Sequence, residues 1–129
     1  MINQKTSRST RVVVPRSERV RRIGPSGFGW LDARLQKQGW LEHLTPEEVA
    51  TYSFLCLVAN QLGVSWYRRD RIQLALGISE NMLWQTLKRL YALDLVAYLP
   101  FSKDASDGFH QVLSLPPQGP SDSTLLLDK

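Results

Sequence analysis

Asn81, Gln85 and Lys88 follow one another at spacings of four and three, with Trp84 and Arg89 beside them. Residues at such spacings share one strip of surface when the backbone is helical. A carboxamide sets a donor and an acceptor side by side, the pattern that matches adenine, while Lys or Arg matches guanine. Arg68, Arg69 and Arg71 form a second polar group shortly before this strip. Neither group is a catalytic set. The chain has no Gly-rich phosphate loop and no paired carboxylates around a plausible pocket. It has no nucleophile with a base either. Glu47 and Glu48 are explained by helix capping, and a domain with so little material outside its core has little room for a cleft. Cys56 is the sole cysteine, with only His43 and His110 beside it, so an internal disulfide is excluded and a structural zinc site is not expected. The expected activity is therefore recognition, with no enzyme chemistry, no cofactor, no metal and no small-molecule substrate.

The charge pattern points the same way. The chain has 129 residues, a net charge of +4 and a pI near 9.5, the profile of a small basic domain with an anionic partner. Residues 1–30 hold seven cations and the single acid Glu18, while the rest of the chain holds nine cations and eleven acids. The excess is thus +6 at the start, carried by Lys5, Arg8, Arg11, Arg16, Arg19, Arg21 and Arg22, against −2 elsewhere. Large apolar groups are too sparse there for a core, so residues 1–24 read as a flexible basic arm. Such an arm suits nucleic-acid phosphates; a solubilising tail and a transit peptide have the same composition. Residues 116–129, opening on Pro116-Pro117-Gln118-Gly119-Pro120, read as a disordered tail. No apolar run approaches the length of a membrane span, and no heptad is sustained enough for a coiled coil.

The elements that must position these residues lie between 25 and 115. Leu31 and Leu35 predict a short helix over 30–38, ended by Gly39. Thr45-Pro46-Glu47-Glu48 combines a capping Thr, a Pro at the first helical position and a Glu at the third. The central helix it opens should run to about Leu62 and stop at Gly63. Val64 to Tyr67 reads as a strand. Asp70 can cap a helix over 71–76 with Ile72, Leu74, Ala75 and Leu76 as its apolar part. Gly77-Ile78 then makes a tight turn. Ser79 caps a last helix from Glu80 to about Ala92, whose Leu83, Leu87 and Leu90 face inward. Asp94 takes a turn that Gly would make more easily. The runs Leu95–Phe101 and Phe109–Leu115 predict a hairpin whose Pro100 needs an edge position. Trp30, Trp40 and Trp66 are expected in the core, Trp84 against the hairpin, and Cys56 as inert core.

Helix, strand, helix, tight turn, helix and hairpin, in that order over residues 45–115, resemble the winged helix-turn-helix DNA-binding family. The residues carrying the resemblance are Ile72 to Leu90, centred on Leu76-Gly77-Ile78-Ser79, with Leu95 to Leu115 as the wing. Asp94 stands where the family has a small residue, and Glu80 and Asn81 open the helix with less positive charge than is usual. The resemblance implies a mainly α, α+β domain over 25–115 that binds double-stranded DNA. It assigns base readout to the 80–92 helix through Asn81, Trp84, Gln85, Lys88 and Arg89. It brings Arg68, Arg69 and Arg71 to the phosphates, with Lys103 the sole cation near the wing tip. The expected role is a cytoplasmic, nucleoid-associated regulator, or an accessory factor of replication or transposition in a bacterium or mobile element. The alternatives are a protein-interaction module using Trp84, RNA binding through the arm, and a homodimer through a packed surface.

If three or four arm cations engage phosphate, removing residues 2–22 flattens the slope of log affinity against log salt by roughly three units. Sequence preference and melting temperature should hardly change, because phosphate contacts position and base contacts specify. Binding isotherms of the full and shortened chains at several salt concentrations check this.

Overall fold

The computed structural model describes residues 11–120. Among them are five α-helices and one three-stranded antiparallel sheet, an α+β arrangement dominated by helix. Helix α1 is Arg34–Lys37, α2 Trp40–His43, α3 Pro46–Val58, α4 Arg69–Leu76 and α5 Glu80–Ala92. Strand β1 is Val64–Ser65, β2 Val96–Pro100 and β3 Gly108–Val112, in the order β1-β3-β2.

The first helix is shorter than the spacing of Leu31 and Leu35 predicts. The Asp32 carboxylate accepts from the Arg34 N–H at 2.9 Å, which starts α1 there and leaves Leu31 exposed. Upstream, the backbone at Gly29 presses on α3. A Cβ at that position would sit 2.7 Å from Leu57 Cα, so residues 28–31 cross α3 extended instead of coiling over it. Gly39, at φ +81°, turns the chain between α1 and α2 as expected.

Helix α3 opens on the full capping box. Thr45 Oγ1 accepts from the Glu48 N–H at 3.1 Å, and Glu48 Oε1 accepts from the Thr45 N–H at 2.9 Å. The helix ends at Val58, four residues short of the expected Leu62. Asn60 is the reason. Its side-chain oxygen accepts from the Leu62 and Val64 N–H groups at 2.8 and 3.0 Å, offering the backbone a turn in place of the helix. Gly63, at φ +84°, closes that turn, and Leu62 points to solvent. Two residues of strand follow, not four. Trp66 leaves the sheet and is 58% exposed, contrary to its expected burial.

Helix α4 starts one residue before Asp70. Its N-cap is Arg68, and Asp70 pairs with Arg68 from within the first turn instead of capping. Only Ile72 of its apolar residues is fully buried, and Leu74 is exposed. Gly77 ends the helix in the left-handed region, and Ser79 Oγ accepts from the Met82 N–H at 3.0 Å to open α5. Leu83, Leu87 and Leu90 are buried as the spacing requires, with Thr86 between them. Asp94, at φ +63°, makes the left-handed exit, and the Leu95 N–H reaches back to Leu90 O.

The hairpin pairs Leu99 with Phe109 and Pro100 with Gly108, so Pro100 lies on the edge strand β2. The core gathers Leu35, Trp40, Leu44, Tyr52, Leu55, Ile72, the α5 leucines, Leu95, Val96 and Leu115. The chain does not become free of the domain after Leu115. Gln38 Nε2 donates to Pro117 O at 3.3 Å, and Gly119 sits so close that a Cβ would meet Gln38 O at 2.5 Å. Residues 121–129 lie outside the described residues. The basic arm is described from Arg11, where it is exposed throughout 11–24, with one 3-10 turn at Ser17–Arg19. Lys5 and Arg8 lie outside the described residues.

His110 is the one histidine in the sheet. It is 2% exposed, 2.8 Å from the Tyr91 hydroxyl, and stacked among Tyr91 and Tyr98. Burial first, then the nearby Arg69 charge, push its pKa down to about 4, with Asp107 opposing. The unfolded chain would take up this proton near the ordinary value of about 6.5. Unfolding free energy should therefore be flat above that point. It should fall by up to about 1.4 kcal/mol per pH unit as pH drops from roughly 6.5 to 4. Urea titrations across that range should show the slope, and His110→Phe should abolish it.

Candidate functional site

Helix α5 has two contrasting sides. Leu83, Thr86, Leu87 and Leu90 are buried, and Asn81, Trp84, Gln85 and Lys88 are exposed. The exposed side consists of two adjacent rows. One runs Glu80–Trp84–Lys88 and the other Asn81–Gln85–Arg89, each at spacing four. The carboxamides of Asn81 and Gln85 make no hydrogen bond with other described residues. Two other carboxamides are occupied, Asn60 in its turn and Gln38 on the Pro117 segment, while those of Gln61, Gln73 and Gln111 are open as well.

Trp84 is 44% exposed. Two cations lie over its ring, Lys88 Nζ at 5.5 Å and Arg69 Cζ at 6.0 Å from the centroid. A hollow of about 420 Å³ opens beside it between α4 and α5, with Arg69, Gln73 and Asn81 on its walls.

Arg89 departs from the expected solvent face. Its guanidinium lies 3.8 Å from the Glu48 carboxylate and 3.2 Å from His43 Nε2, and its side chain is only 20% exposed. The reason is rotational. Arg89 is one position from Leu90 and two from Leu87, so it sits at the edge of the buried stripe and reaches the buried Glu48 of α3. It ties α3 to α5 and is no longer part of the exposed strip.

The arginines around α4 separate in the same way. Arg68 pairs with Asp70 at 3.0 Å, in solvent. The Arg69 N–H donates to the Asp107 carboxylate at 2.9 Å, and its guanidinium bonds to the Ser106 carbonyl. This latch joins α4 to the β2–β3 turn. Arg71 lies over the Tyr67 ring at 5.9 Å and is exposed. Lys103 is exposed in the β2–β3 turn. In the arm, Arg16 pairs with Glu18, while Arg11, Arg19, Arg21 and Arg22 are exposed. The Arg69 latch and the Arg89 tie could not be read from spacing, because Ser106, Asp107 and His43 are 37, 38 and 46 residues away in sequence.

Sequence reasoning left little room for a cleft, and a cavity of about 770 Å³ is present. Phe28, Trp30, Tyr52, Cys56, Leu62 and Val112 are among the residues that line it. It exists because Gly29 brings the incoming chain onto α3 while Trp30, 72% exposed, stands off it instead of packing down. Burial pushes the Cys56 thiol pKa up, which disfavours the reactive thiolate. Among the described residues no cluster of His, Cys, Asp and Glu is placed to hold a metal, and no helix is long and apolar enough to cross a membrane.

Comparison of the chain with family models, with curated proteins and with solved structures finds no match in any of the three.

The split within α5 predicts a split in stability. Arg89→Ala removes the cation beside the buried Glu48 carboxylate, which keeps its bond from the Thr45 N–H, and should cost about 1–3 kcal/mol. Asn81→Ala, Gln85→Ala and Lys88→Ala should each stay within about 0.5 kcal/mol of the parent chain. Chemical denaturation of the four variants distinguishes the tie from the exposed strip.

Proposed function

We propose that this chain is a winged-helix protein that binds double-stranded DNA. On this reading α4 and α5 are the helix-turn-helix, the β2–β3 hairpin is the wing, and α5 enters the major groove. The observation that carries the reading is the uncovered face of α5: Asn81, Trp84, Gln85 and Lys88 stand exposed while the opposite face is sealed. The two carboxamides keep their full hydrogen-bonding capacity, which base edges in the groove would use. Arg71 and the exposed arm arginines supply attraction to phosphate. Lys103 adds little at the wing, where Asp104 and Asp107 oppose it. The role is occupancy of DNA without covalent change, as a regulator or as an accessory factor in replication or transposition. A bacterial or mobile-element setting, in the cytoplasm with the nucleoid, goes with it.

A second reading is a protein-interaction module. It draws on the outer side of the hairpin, where Leu99 is 64% exposed and the Phe101 and Phe109 rings meet edge to face at 4.9 Å. Apolar groups gathered on a surface mark partner contacts more often than DNA contacts.

Gln85→Ala or Lys88→Ala should weaken specific duplex binding by about 1–3 kcal/mol while changing non-specific binding less. Fluorescence anisotropy with duplex, single-stranded and RNA probes across a salt series is the measurement. Equal affinity for all three probes and no effect of either substitution would sink base readout by α5.

A further inference from the structure

We infer that the α5 surface selects A·T base pairs and contacts the thymine methyl group through Trp84. This rests on the DNA-binding reading above and goes further by naming the base pair. Three observations carry it.

The first is which guanine reader is missing. Bidentate recognition of guanine is chiefly the work of Arg, whose fork matches O6 and N7. Arg89 is the single Arg of α5, and it is turned to Glu48 and His43 on the far side of the strip. Lys88 is the other cation, and its ammonium is held 5.5 Å from the Trp84 ring centroid, two turns from the start of the helix. In helix-turn-helix docking the N-terminal residues of the helix meet the base edges.

The second is what stands at that N-terminal end instead. Asn81 and Gln85 lie one turn apart, exposed and without a hydrogen bond to other described residues. Each can donate to adenine N7 and accept from adenine N6–H, the bidentate pair that a carboxamide makes and an ammonium cannot.

The third is Trp84, which sits one residue before Gln85 in the neighbouring row. Arg69 and Lys88 lie close to the ring, so the indole is held in place and presents apolar surface beside the carboxamides. The partner of adenine carries the one apolar group in the major groove, the C5-methyl of thymine. An adenine read by Gln85 or Asn81 thus puts its thymine methyl within the reach of an adjacent indole. Glu80, in the same row as Trp84, is the one acid of α5 and the side chain whose chemistry best suits cytosine N4–H.

The experiment is selection of duplexes from a randomised pool by the full chain, followed by thymine-to-uracil replacement in the enriched site. The expected enrichment is an A·T-centred element. Removing the thymine methyl should weaken binding by about fourfold, the worth of one buried methyl. With Trp84→Ala, whose fold is checked by its melting temperature, uracil and thymine duplexes should bind equally. Asn81→Ala or Gln85→Ala should lose at least about fivefold on the enriched site. An enriched site centred on G·C, read by Glu80 or Lys88, overturns this inference and leaves DNA binding standing. So does an A·T site that binds equally well with uracil in the parent chain. No enrichment, with equal affinity for every duplex, overturns base readout altogether and the inference with it.

Discussion

The rotation of α5 about its own axis is the constraint on which the rest of the molecule depends. Leu83, Thr86, Leu87 and Leu90 are all buried, against α3 on one side and the hairpin on the other. Burying each of those leucines is worth about 1.5–3 kcal/mol, so turning the helix by one position would expose several at once. With the rotation set, every other side chain of α5 has an assigned direction. Asn81, Trp84, Gln85 and Lys88 must face water, and Arg89 must lie at the seam. The capped start at Ser79 and the left-handed exit at Asp94 fix where the helix begins and ends, which prevents the stripe from sliding along the core.

The cations of the folded part then divide by what they can reach. Arg89 lies beside a buried carboxylate and becomes a strut between α3 and α5. Arg69 reaches the hairpin turn and holds it to α4 through Asp107 and Ser106. These two positions are adjacent to the exposed strip, yet they serve its geometry instead of adding charge to it. The exposed strip is left poor in cations and rich in carboxamide, with Trp84 beside Arg69 and Lys88. That division underlies both the proposed function, in which the arm supplies most of the attraction to phosphate, and the narrower inference about A·T pairs.

The other unusual surface is at the opposite end of the chain's path through the fold. Gly29 lets the backbone lie on α3, and the aromatic residues flanking it, Phe28 and Trp30, line the cavity with Tyr52 and Cys56. The Pro116–Pro120 segment also returns to the α1–α2 junction through Gln38.

Local chemistry accounts for what could be read without the fold. The Thr45 and Ser79 caps, the Gly39 and Gly77 turns, the α5 boundaries, the Asp94 exit, Pro100 at an edge and the inward leucines each depend on residues within about one helical turn or one strand pair. So does the strip of Asn81, Gln85 and Lys88, because spacing alone puts them on one side. The misjudged features depend on local competitions and on contacts between elements that spacing does not rank. Helix α3 stops early because Asn60 finds two N–H groups beyond the helix, and α1 starts late because Gly29 and Asp32 direct the chain. Trp30 and Trp66 look like core by composition, but the core is filled without them. Whether a given Arg is a free charge or a strut was decided only when the chain folded. The spacing of Arg89 and Lys88 is nearly the same, and the difference lies in Glu48, buried on another helix within reach of one and not the other.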